Sequence, residues 1–283
     1  VVTGTATAEQ LNAINAATSA QVNAEGVTAI GGSVVEFNTL ITAAGDQPPT
    51  ILLPDNFEAT VTGEATAAQL NAINAAISSP VDATGVTSIS GSGPDFDTLL
   101  DAEGITLSNS FVATVTSDSA TAEQLNAINA ATSSVVNATE VNSISGTAAE
   151  FGTLLGGVPS GITLTGDFTA TLEAGEATVA QLEVINAATS AQVNAAAVTP
   201  ITGTGAQFAD LLTAEDAGEI TLAEDFEAVV TGTATAEQLN AINAATTFDP
   251  VNAEALTEIS GGLLAFNILR DAAQASTPSI TLS

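Results

Sequence analysis

A tandem repeat constrains the fold of this 283-residue chain more strongly than any other feature of its sequence. The phrase Gln-Leu-Asn-Ala-Ile-Asn, which in one copy becomes Gln-Leu-Glu-Val-Ile-Asn, begins at Gln10, Gln69, Gln124, Gln181 and Gln238. A phenylalanine follows each of these glutamines at an almost constant distance: Phe37, Phe96, Phe151, Phe208 and Phe266. Constant spacing inside each copy, with a loop of variable length between copies, is typical of stacked repeats.

Five copies of about 57 residues account for almost the whole chain. The predicted boundaries are 1–50, 51–104, 105–161, 162–219 and 220–279, and residues 280–283 are predicted to be the opening strand of a next copy. The first copy lacks its own opening strand. Each of the other four opens with Ile-x-Leu, followed by a second phenylalanine: Phe57, Phe111, Phe168 and Phe226.

Each copy contains two halves, and each half has the pattern of a strand followed by a helix. Residues 111–116 alternate apolar and small polar side chains, which predicts a strand. Leu125, Ile128 and Ala131 then recur at helical spacing. We therefore predict an α/β solenoid of short stacked parallel strands, each followed by a helix, with two such coils in every copy. A row of separate small α+β domains is the alternative, and a unit of this size with so few large side chains would be marginal alone.

Capping boxes mark the predicted helix starts, because a Thr or Ser hydroxyl and a side chain three residues later can satisfy unpaired backbone N–H groups. In the first halves the pairs are Thr7/Gln10, Thr66/Gln69, Thr121/Gln124, Thr178/Gln181 and Thr235/Gln238. In the second halves they are Ser33/Glu36, Ser92/Asp95, Thr147/Glu150 and Thr204/Gln207. The last helix, which follows Gly262, lacks the box.

The charge of the chain excludes some partners and favours a setting. Asp and Glu total 32 against a single basic residue, Arg270, which gives a net charge of −31. Nucleic-acid binding requires Lys and Arg to displace phosphate counterions, so we predict no nucleic-acid partner. No apolar run is long enough to cross a membrane, and we predict no membrane insertion. Self-repulsion is weakest in salty water, which favours a saline extracellular setting.

The residue types that usually carry catalysis are missing. The chain has no His, Cys, Lys or Tyr, so most general bases and nucleophiles are absent. Many acids recur at equivalent positions of the repeat, such as Glu9, Glu123 and Glu237, which indicates a solvated acidic face. We predict that the protein is not an enzyme. A single acidic pair in a cleft would instead favour a polysaccharide-acting enzyme.

Calcium is the one ion that the sequence favours, and no other cofactor is predicted. Carboxylate oxygens suit Ca²⁺, and the densest cluster of acids contains Asp95, Asp97 and Asp101, our candidate ligands. A carboxylate at a helix start also explains Asp95 without a metal. No EF-hand loop and no calcium-binding nonapeptide accompanies the cluster.

Asparagines recur in register in two rows, for which we predict structural roles: stacking between coils or bonding to loop backbone. The first row is Asn15, Asn74, Asn129, Asn186 and Asn243, and the second is Asn23, Asp82, Asn137, Asn194 and Asn252. Phe248 falls outside the repeat, in the turn of residues 247–250. It is the one aromatic side chain that we would test as a contact for a glycan.

The two ends of the chain look like complementary pieces of one copy. Residues Val1–Gln10 match Val229–Gln238, and Ile280-Thr-Leu begins a copy that is not completed. One expectation is a piece of a longer array with flanking repeats. The other is a subunit whose ends, Val1 and Val2 with Ile280 and Leu282, join head to tail with further copies of itself.

The segment Thr233–Thr246 and the segment Ile144-Ser-Gly-Thr-Ala-Ala-Glu-Phe151 resemble the Ala/Thr-rich tandem repeats of very large cell-surface or secreted adhesin-like proteins of cyanobacteria and other bacteria. The resemblance extends over the whole chain. It implies an extracellular or cell-surface location and a role as scaffold, surface layer, filament or adhesin. An adhesin would bind glycans or another cell surface. The resemblance implies no catalytic residues.

Overall fold

Parallel strands alternate with helices along the chain, so the protein is α/β, as the sequence predicts. The computed structural model describes residues 1–156, 161–248, 250–275 and 277–282. Asp249 of the turn near Phe248 and Ser283 of the predicted last strand lie outside the described residues. The chain forms two compact units. Unit 1 contains Val1–Asp118, Gln124–Glu140 and Gly161–Leu164, and unit 2 contains Ser119–Glu123, Val141–Ser160 and Thr165–Ser283.

Ten helices lie within these described ranges. They are α1 Ala8–Ala16, α2 Val34–Gly45, α3 Ala67–Ala76, α4 Gly93–Leu100, α5 Ala122–Ala131, α6 Ala148–Gly156, α7 Val179–Ala188, α8 Gly205–Asp216, α9 Ala236–Ala245 and α10 Leu263–Ala273. No helix among the described residues is both long and apolar enough to cross a membrane.

The strands of the first two sequence copies are β1 Thr3–Thr7, β2 Val22–Asn23, β3 Gly26–Ser33, β4 Ile51–Leu52, β5 Glu58–Thr66 and β6 Val81–Gly91. Those of the third copy are β7 Ile105–Leu107, β8 Val112–Val115, β9 Ser119–Thr121, β10 Val136–Ala138 and β11 Ser143–Gly146. The remaining strands are β12 Ile162–Leu164, β13 Thr169–Leu172, β14 Gly175–Thr178, β15 Val193–Ala195, β16 Val198–Gly203, β17 Ile220–Leu222, β18 Ala228–Thr235, β19 Val251–Ser260 and β20 Ile280–Leu282.

Unit 1 is built on one large parallel sheet. Its strands follow the order β1-β3-β5-β6-β8-β10-β12, with β7 paired to β6, and β2 and β4 form a separate pair. In the register of the β3–β5 ladder, Ile30 lies opposite Ala59 and Gly32 opposite Val61. Helices α1, α2, α3 and α4 contact one another in sequence, so each strand–helix segment packs on the next.

Unit 2 contains two five-stranded sheets within its described residues. One follows the order β17-β15-β13-β11-β9 and the other β14-β16-β18-β19-β20, with parallel pairing throughout. The helices again contact their neighbours in order, from α6 through α7, α8 and α9 to α10. Strand β20, at the edge of the second sheet, pairs Ile280 with Val251.

The helices begin where the capping boxes predict. At Thr7, Ser33, Thr66, Ser92, Thr178, Thr204 and Thr235 the hydroxyl accepts the N–H of the residue three positions on, and that residue's side chain accepts the N–H of the cap. Thr147 and Glu150 exchange the same two bonds. Gly262 has no side chain to cap α10, as its sequence predicts, and its own N–H donates to Glu237 Oε1 at 3.0 Å.

The core of each unit is a row of buried phenylalanines set among small aliphatic side chains. Fully buried members are Phe37, Phe57, Phe96, Phe111, Phe151, Phe168, Phe208 and Phe226. In unit 2 the rings of Phe208 and Phe226 stack with centroids 6.5 Å apart and planes 15° from parallel. Phe266, which occupies the same sequence position as Phe208, is 36% exposed instead.

Candidate functional site

The second asparagine row closes tight turns within the backbone. The Oδ1 of Asn137 accepts the N–H of Thr139 at 3.1 Å, and Asn23, Asn194 and Asn252 each accept the N–H of the residue two positions on. This is the loop-backbone role that the sequence predicts. Asp82 takes the same position in the second copy. The hydroxyl of Thr84 and then its backbone N–H donate to the Asp82 carboxylate and lower its pKa.

Two members of the first asparagine row link a helix to the loop that precedes a later strand. Asn15 Nδ2 donates to Thr50 Oγ1 at 3.0 Å, just before β4. Asn186 Nδ2 donates to Glu219 Oε2 at 3.2 Å, just before β17. These two asparagines have the structural role that the sequence predicts, since each joins two strand–helix segments through a single side chain.

A third row of asparagines, which the sequence reasoning missed, connects neighbouring helices. Asn12 Nδ2 donates to the backbone oxygen of Glu36 at 2.9 Å. Asn71 donates to the backbone oxygen of Asp95 at 3.0 Å, and Asn240 to that of Ala265 at 3.1 Å. In each pair the acceptor is the third residue of the next helix. The signal was present in the repeated Gln-Leu-Asn phrase, but periodicity alone does not show which face of a helix meets its neighbour.

A row of threonines was also missed, and it lies where each first-half helix ends. Thr132 Oγ1 donates to the backbone oxygen of Phe111 at 2.5 Å and accepts the N–H of Ser134 at 3.1 Å. Thr189 and Thr246 make the equivalent pairs of bonds. In the second copy this position holds Ile77. Each hydroxyl therefore ties a helix end to the start of the preceding strand.

The three candidate calcium ligands lie on α4 or at its end. Asp95 Oδ2 accepts from the Ser92 hydroxyl at 2.6 Å, and Asp97 Oδ2 accepts from Gln124 Nε2 at 2.7 Å. Asp101 is exposed, and its N–H donates to the backbone oxygen of Asp97. In the described part of the chain no group of three or more His, Asp or Glu is placed to hold a metal. The calcium ligand set stays a prediction.

The four candidate assembly residues have different surroundings. Val1 is 97% exposed and Val2 is half-buried, with its N–H donating to the backbone oxygen of Asn23 at 2.8 Å. Ile280 is fully buried in unit 2, and Leu282, opposite Ala253, is half-buried. Ile280 therefore belongs to the core of unit 2, and its side chain is not accessible for docking.

One acidic pair breaks the regularity of the repeat. Glu183 replaces the asparagine of the third row, and with Asp210 it lines a cavity of about 280 Å³ where α7 meets α8. Partial burial of the Glu183 carboxyl, and then the charge of Asp210, raises the pKa of Glu183. Leu182, Leu211 and Ile220 form the apolar wall of the cavity. The pair gives α7 and α8 a like-charge contact at the position where other copies have a hydrogen bond.

Replacing Glu183 with Asn is therefore expected to stabilise the protein. The Asn amide can donate to the backbone oxygen of Gln207, which is equivalent to the acceptors of Asn12 and Asn71. This bond should raise the free energy of unfolding by about 1 kcal/mol. Glu183 has a raised pKa when folded, so its carboxyl favours the fold at low pH, and that contribution is lost as pH rises through the folded pKa. Thermal unfolding should show a larger gain for Glu183→Asn at pH 7 than at pH 4.

Glu183→Gln is the matched control, because it removes the charge and places its amide one methylene further out. Its gain in stability should depend on pH in the same way as that of Glu183→Asn, but the gain should be smaller. An Asn variant no more stable than the wild type at pH 7 would contradict the role of the third row.

Phe248 is one of the exposed apolar side chains of the described residues. Its ring is 39% exposed, and its N–H donates to Thr246 Oγ1 at 3.0 Å. The ring is thus accessible for stacking on a sugar.

Comparison with protein-family models, with characterised protein sequences and with solved structures finds no match to this chain.

Proposed function

We propose that this chain is an extracellular structural repeat protein: an α/β solenoid of five copies, each of two strand–helix coils. It serves as a building block of a rod, filament or surface layer, in contact with copies of itself or with flanking repeats. The observation that carries the proposal is the recurrence of the same contacts between coils at equivalent positions of successive copies. Such recurrence serves stacking, because every coil meets its neighbour in the same way.

The rows of hydrogen-bonding side chains support a structural role rather than a catalytic one. The amide nitrogens of the asparagine rows and the hydroxyls of the threonine row join one coil to the next, so these polar groups are engaged in structure. Acids are spread over the repeat, and Glu183 with Asp210 is the pair that departs from it. Two carboxyls are what a polysaccharide-acting enzyme uses, so Glu183 and Asp210 are the candidate pair for that alternative. The structural role is preferred because Glu183 lies at the helix–helix position where Asn12, Asn71 and Asn240 make their hydrogen bonds.

The charge of the chain supports the extracellular part of the proposal. With 32 acids and one Arg, neighbouring coils repel each other unless salt or divalent ions screen them. The Arg270 side chain forms its ion pair with the adjacent Asp271, at 2.8 Å, and both are largely exposed. Such a pair adds little to stability. The fold therefore suits saline surroundings, where the screening length shortens to about 3 Å at 1 M salt.

An adhesin stalk or binding module that recognises glycans or another cell surface is the second candidate. The exposed ring of Phe248 favours it, since other rings of the described chain, such as Phe57 and Phe168, are buried. A glycan array probed with the wild type and with Phe248→Ser tests this candidate directly. Binding that the substitution abolishes would favour the adhesin over a purely structural role.

The structural proposal is tested by changing the number of copies. Deleting residues 162–219, or duplicating them, gives chains of four and six copies. Because neighbouring strands lie about 4.8 Å apart, each copy of two coils should change the maximum dimension in small-angle X-ray scattering by about 10 Å at constant cross-section. The free energy of unfolding should rise with copy number.

The isolated segment 162–219 is the control in this series. In a solenoid it cannot bury its faces alone and should show no cooperative unfolding. A folded single segment would favour separate small domains, and an unfolded four-copy chain would show that the copies are not interchangeable coils. Either result would overturn the proposed architecture.

A further inference from the structure

One position of the second asparagine row carries the signal for attaching a sugar to an asparagine side chain. The signal is Asn-x-Thr or Asn-x-Ser, in which x is not proline. It occurs once in the sequence, as Asn137-Ala-Thr139. At the equivalent positions of the other copies one of the two residues differs: Asn23 with Glu25, Asp82 with Thr84, Asn194 with Ala196, and Asn252 with Glu254. The signal therefore belongs to the third copy alone, and the repeat does not account for it.

Asn137 is presented on the outer face of the large sheet of unit 1. It lies in β10, where its side chain alternates with two buried ones, and both Asn137 and Thr139 are exposed. In the ladders on either side it pairs with Thr114 of β8 and with Thr163 of β12. Side chains alternate between the two faces of a strand, so the Asn137 amide points away from the core.

The turn that follows β10 orients this amide. The N–H and the hydroxyl of Thr139 both donate to Asn137 Oδ1, at 3.1 and 2.8 Å. The turn thus uses the amide oxygen and not Nδ2, the atom that carries the sugar in a modified asparagine. Two donors on the oxygen draw electron density from the nitrogen and make its protons easier to remove. An attached sugar would leave both bonds in place.

The surface beside Asn137 is more apolar in this copy than in the others. Val135, two positions earlier on the same face, is 59% exposed, and Val112 of β8 is 46% exposed. Continuing the register of β8 and β10 by one residue places these two side chains next to each other. At the position of Val135 the other copies hold Gln21, Pro80, Gln192 and Pro250, and at that of Val112 they hold Glu58, Thr169 and Glu227. Two exposed valines therefore accompany the single acceptor signal.

We propose that Asn137 is a site of N-glycosylation, presented by its turn with Thr139, and that the attached sugar covers Val112 and Val135. In the reaction Nδ2 forms a bond to the anomeric carbon of the donor sugar, and the bond from that carbon to a diphosphate oxygen breaks. The diphosphate leaves with the electron pair, and the Nδ2 proton passes to a base of the transferase. The donor is a sugar activated as the diphosphate ester of a nucleoside or of a polyprenol. The inference goes beyond the structural role proposed above.

Intact-mass spectrometry of the purified, folded chain tests the site in two arms. One arm uses a soluble N-glycosyltransferase with UDP-glucose, and the other a membrane oligosaccharyltransferase with a polyprenyl-diphosphate oligosaccharide. Most chains should gain one sugar or one oligosaccharide in at least one arm, and peptide mapping should place it on Asn137. The arm that succeeds shows which donor the site accepts. A synthetic peptide of residues 133–142 is the control for enzyme activity. Modification of the peptide in both arms and of the folded chain in neither would overturn the proposal.

Two substitutions in the third copy test the acceptor and its hydroxyl. Asn137→Gln should abolish the modification. Thr139→Ala should slow it at least tenfold with unchanged circular dichroism, because Asn194 makes the same backbone bond to Ala196 without a hydroxyl. A sugar that persists on Asn137→Gln, or wild-type modification of Thr139→Ala, would contradict the assignment.

Asp82→Asn is the matched gain-of-function variant, because it completes the signal in the second copy. The N–H and the hydroxyl of Thr84 already donate to Asp82 Oδ1, at 3.0 and 2.6 Å. This variant should gain a second sugar, on residue 82. A variant that still gains only the sugar on Asn137 would show that the turn does not present the acceptor.

The cover over the valines is tested with the double variant Val112→Thr and Val135→Gln, which has the residues of the fourth copy at both positions. Glycosylation should raise the Tm of the wild type at least twice as much as that of this variant, because the sugar removes exposed apolar surface from water only in the wild type. Equal rises would overturn the placement of the sugar. None of these outcomes bears on the copy-number series, so failure of the glycosylation site is separable from failure of the structural role.

Discussion

Truncating Phe208 to Ala is expected to lower the free energy of unfolding by about 3–5 kcal/mol. The ring is fully buried and stacks on Phe226 at 6.5 Å, so its removal leaves a cavity and also removes a ring contact. The other buried side chains of unit 2 are mostly Ala, Val, Ile and Leu, and close packing limits how far they and Phe226 can move to refill the space. Urea denaturation followed by far-UV circular dichroism measures the loss.

Phe266→Ala is the matched control for this prediction, since the two phenylalanines occupy the same position of the repeat. Phe266 is 36% exposed, so its truncation should cost less than half as much as that of Phe208. Equal losses in the two variants would mean that Phe266 is covered in solution. Both variants are measured at the same low protein concentration, so that the comparison reports the effect within one chain.

The helix starts and the tight turns could be predicted from the sequence because they depend on residues that are close together in the chain. A Thr hydroxyl three residues before a Gln satisfies backbone N–H groups wherever a helix starts, and Thr7, Thr66 and Thr178 do so. An Asn side chain that accepts the N–H of the residue two positions later likewise needs no distant partner, as Asn137 shows.

Contacts between successive strand–helix segments could not be predicted, because they depend on which faces of two helices meet. The bond from Asn12 to the backbone of Glu36 and the bond from Thr132 to that of Phe111 join residues more than twenty positions apart. The same limit applies to the calcium candidates. The sequence places Asp95 and Asp97 close together, but their partners Ser92 and Gln124 are fixed by the helix start and by the packing of the neighbouring helix.

The exposure of Phe266 could not be predicted for a different reason. Its sequence spacing is that of a core residue, and the spacing carries no information on which elements pack against it. Burial depends on the neighbouring strand and helix as well as on the residue itself. The same sequence pattern is therefore fully buried at Phe208 and 36% exposed at Phe266.

Replacing Thr132 with Val is expected to destabilise the protein by about 2–4 kcal/mol. Thr132 is 8% exposed, and its hydroxyl both donates to the backbone oxygen of Phe111 and accepts the N–H of Ser134. Valine has almost the same shape but leaves both backbone groups without a partner, and each buried unpaired group costs about 1–3 kcal/mol. The measurement is the free energy of unfolding in urea, with the amide hydrogen exchange of Ser134 as a local readout.

Thr98→Val is the control for the same chemical change. Thr98 is exposed, and its hydroxyl donates to the backbone oxygen of Pro94 four residues earlier, a bond that water can replace. Its loss should change the free energy of unfolding by no more than about 0.5 kcal/mol. If both substitutions cost the same, the threonine row does not hold successive coils together. If only Thr132→Val lowers the free energy of unfolding, the hydrogen bonds of the threonine row stabilise the protein in addition to its apolar packing.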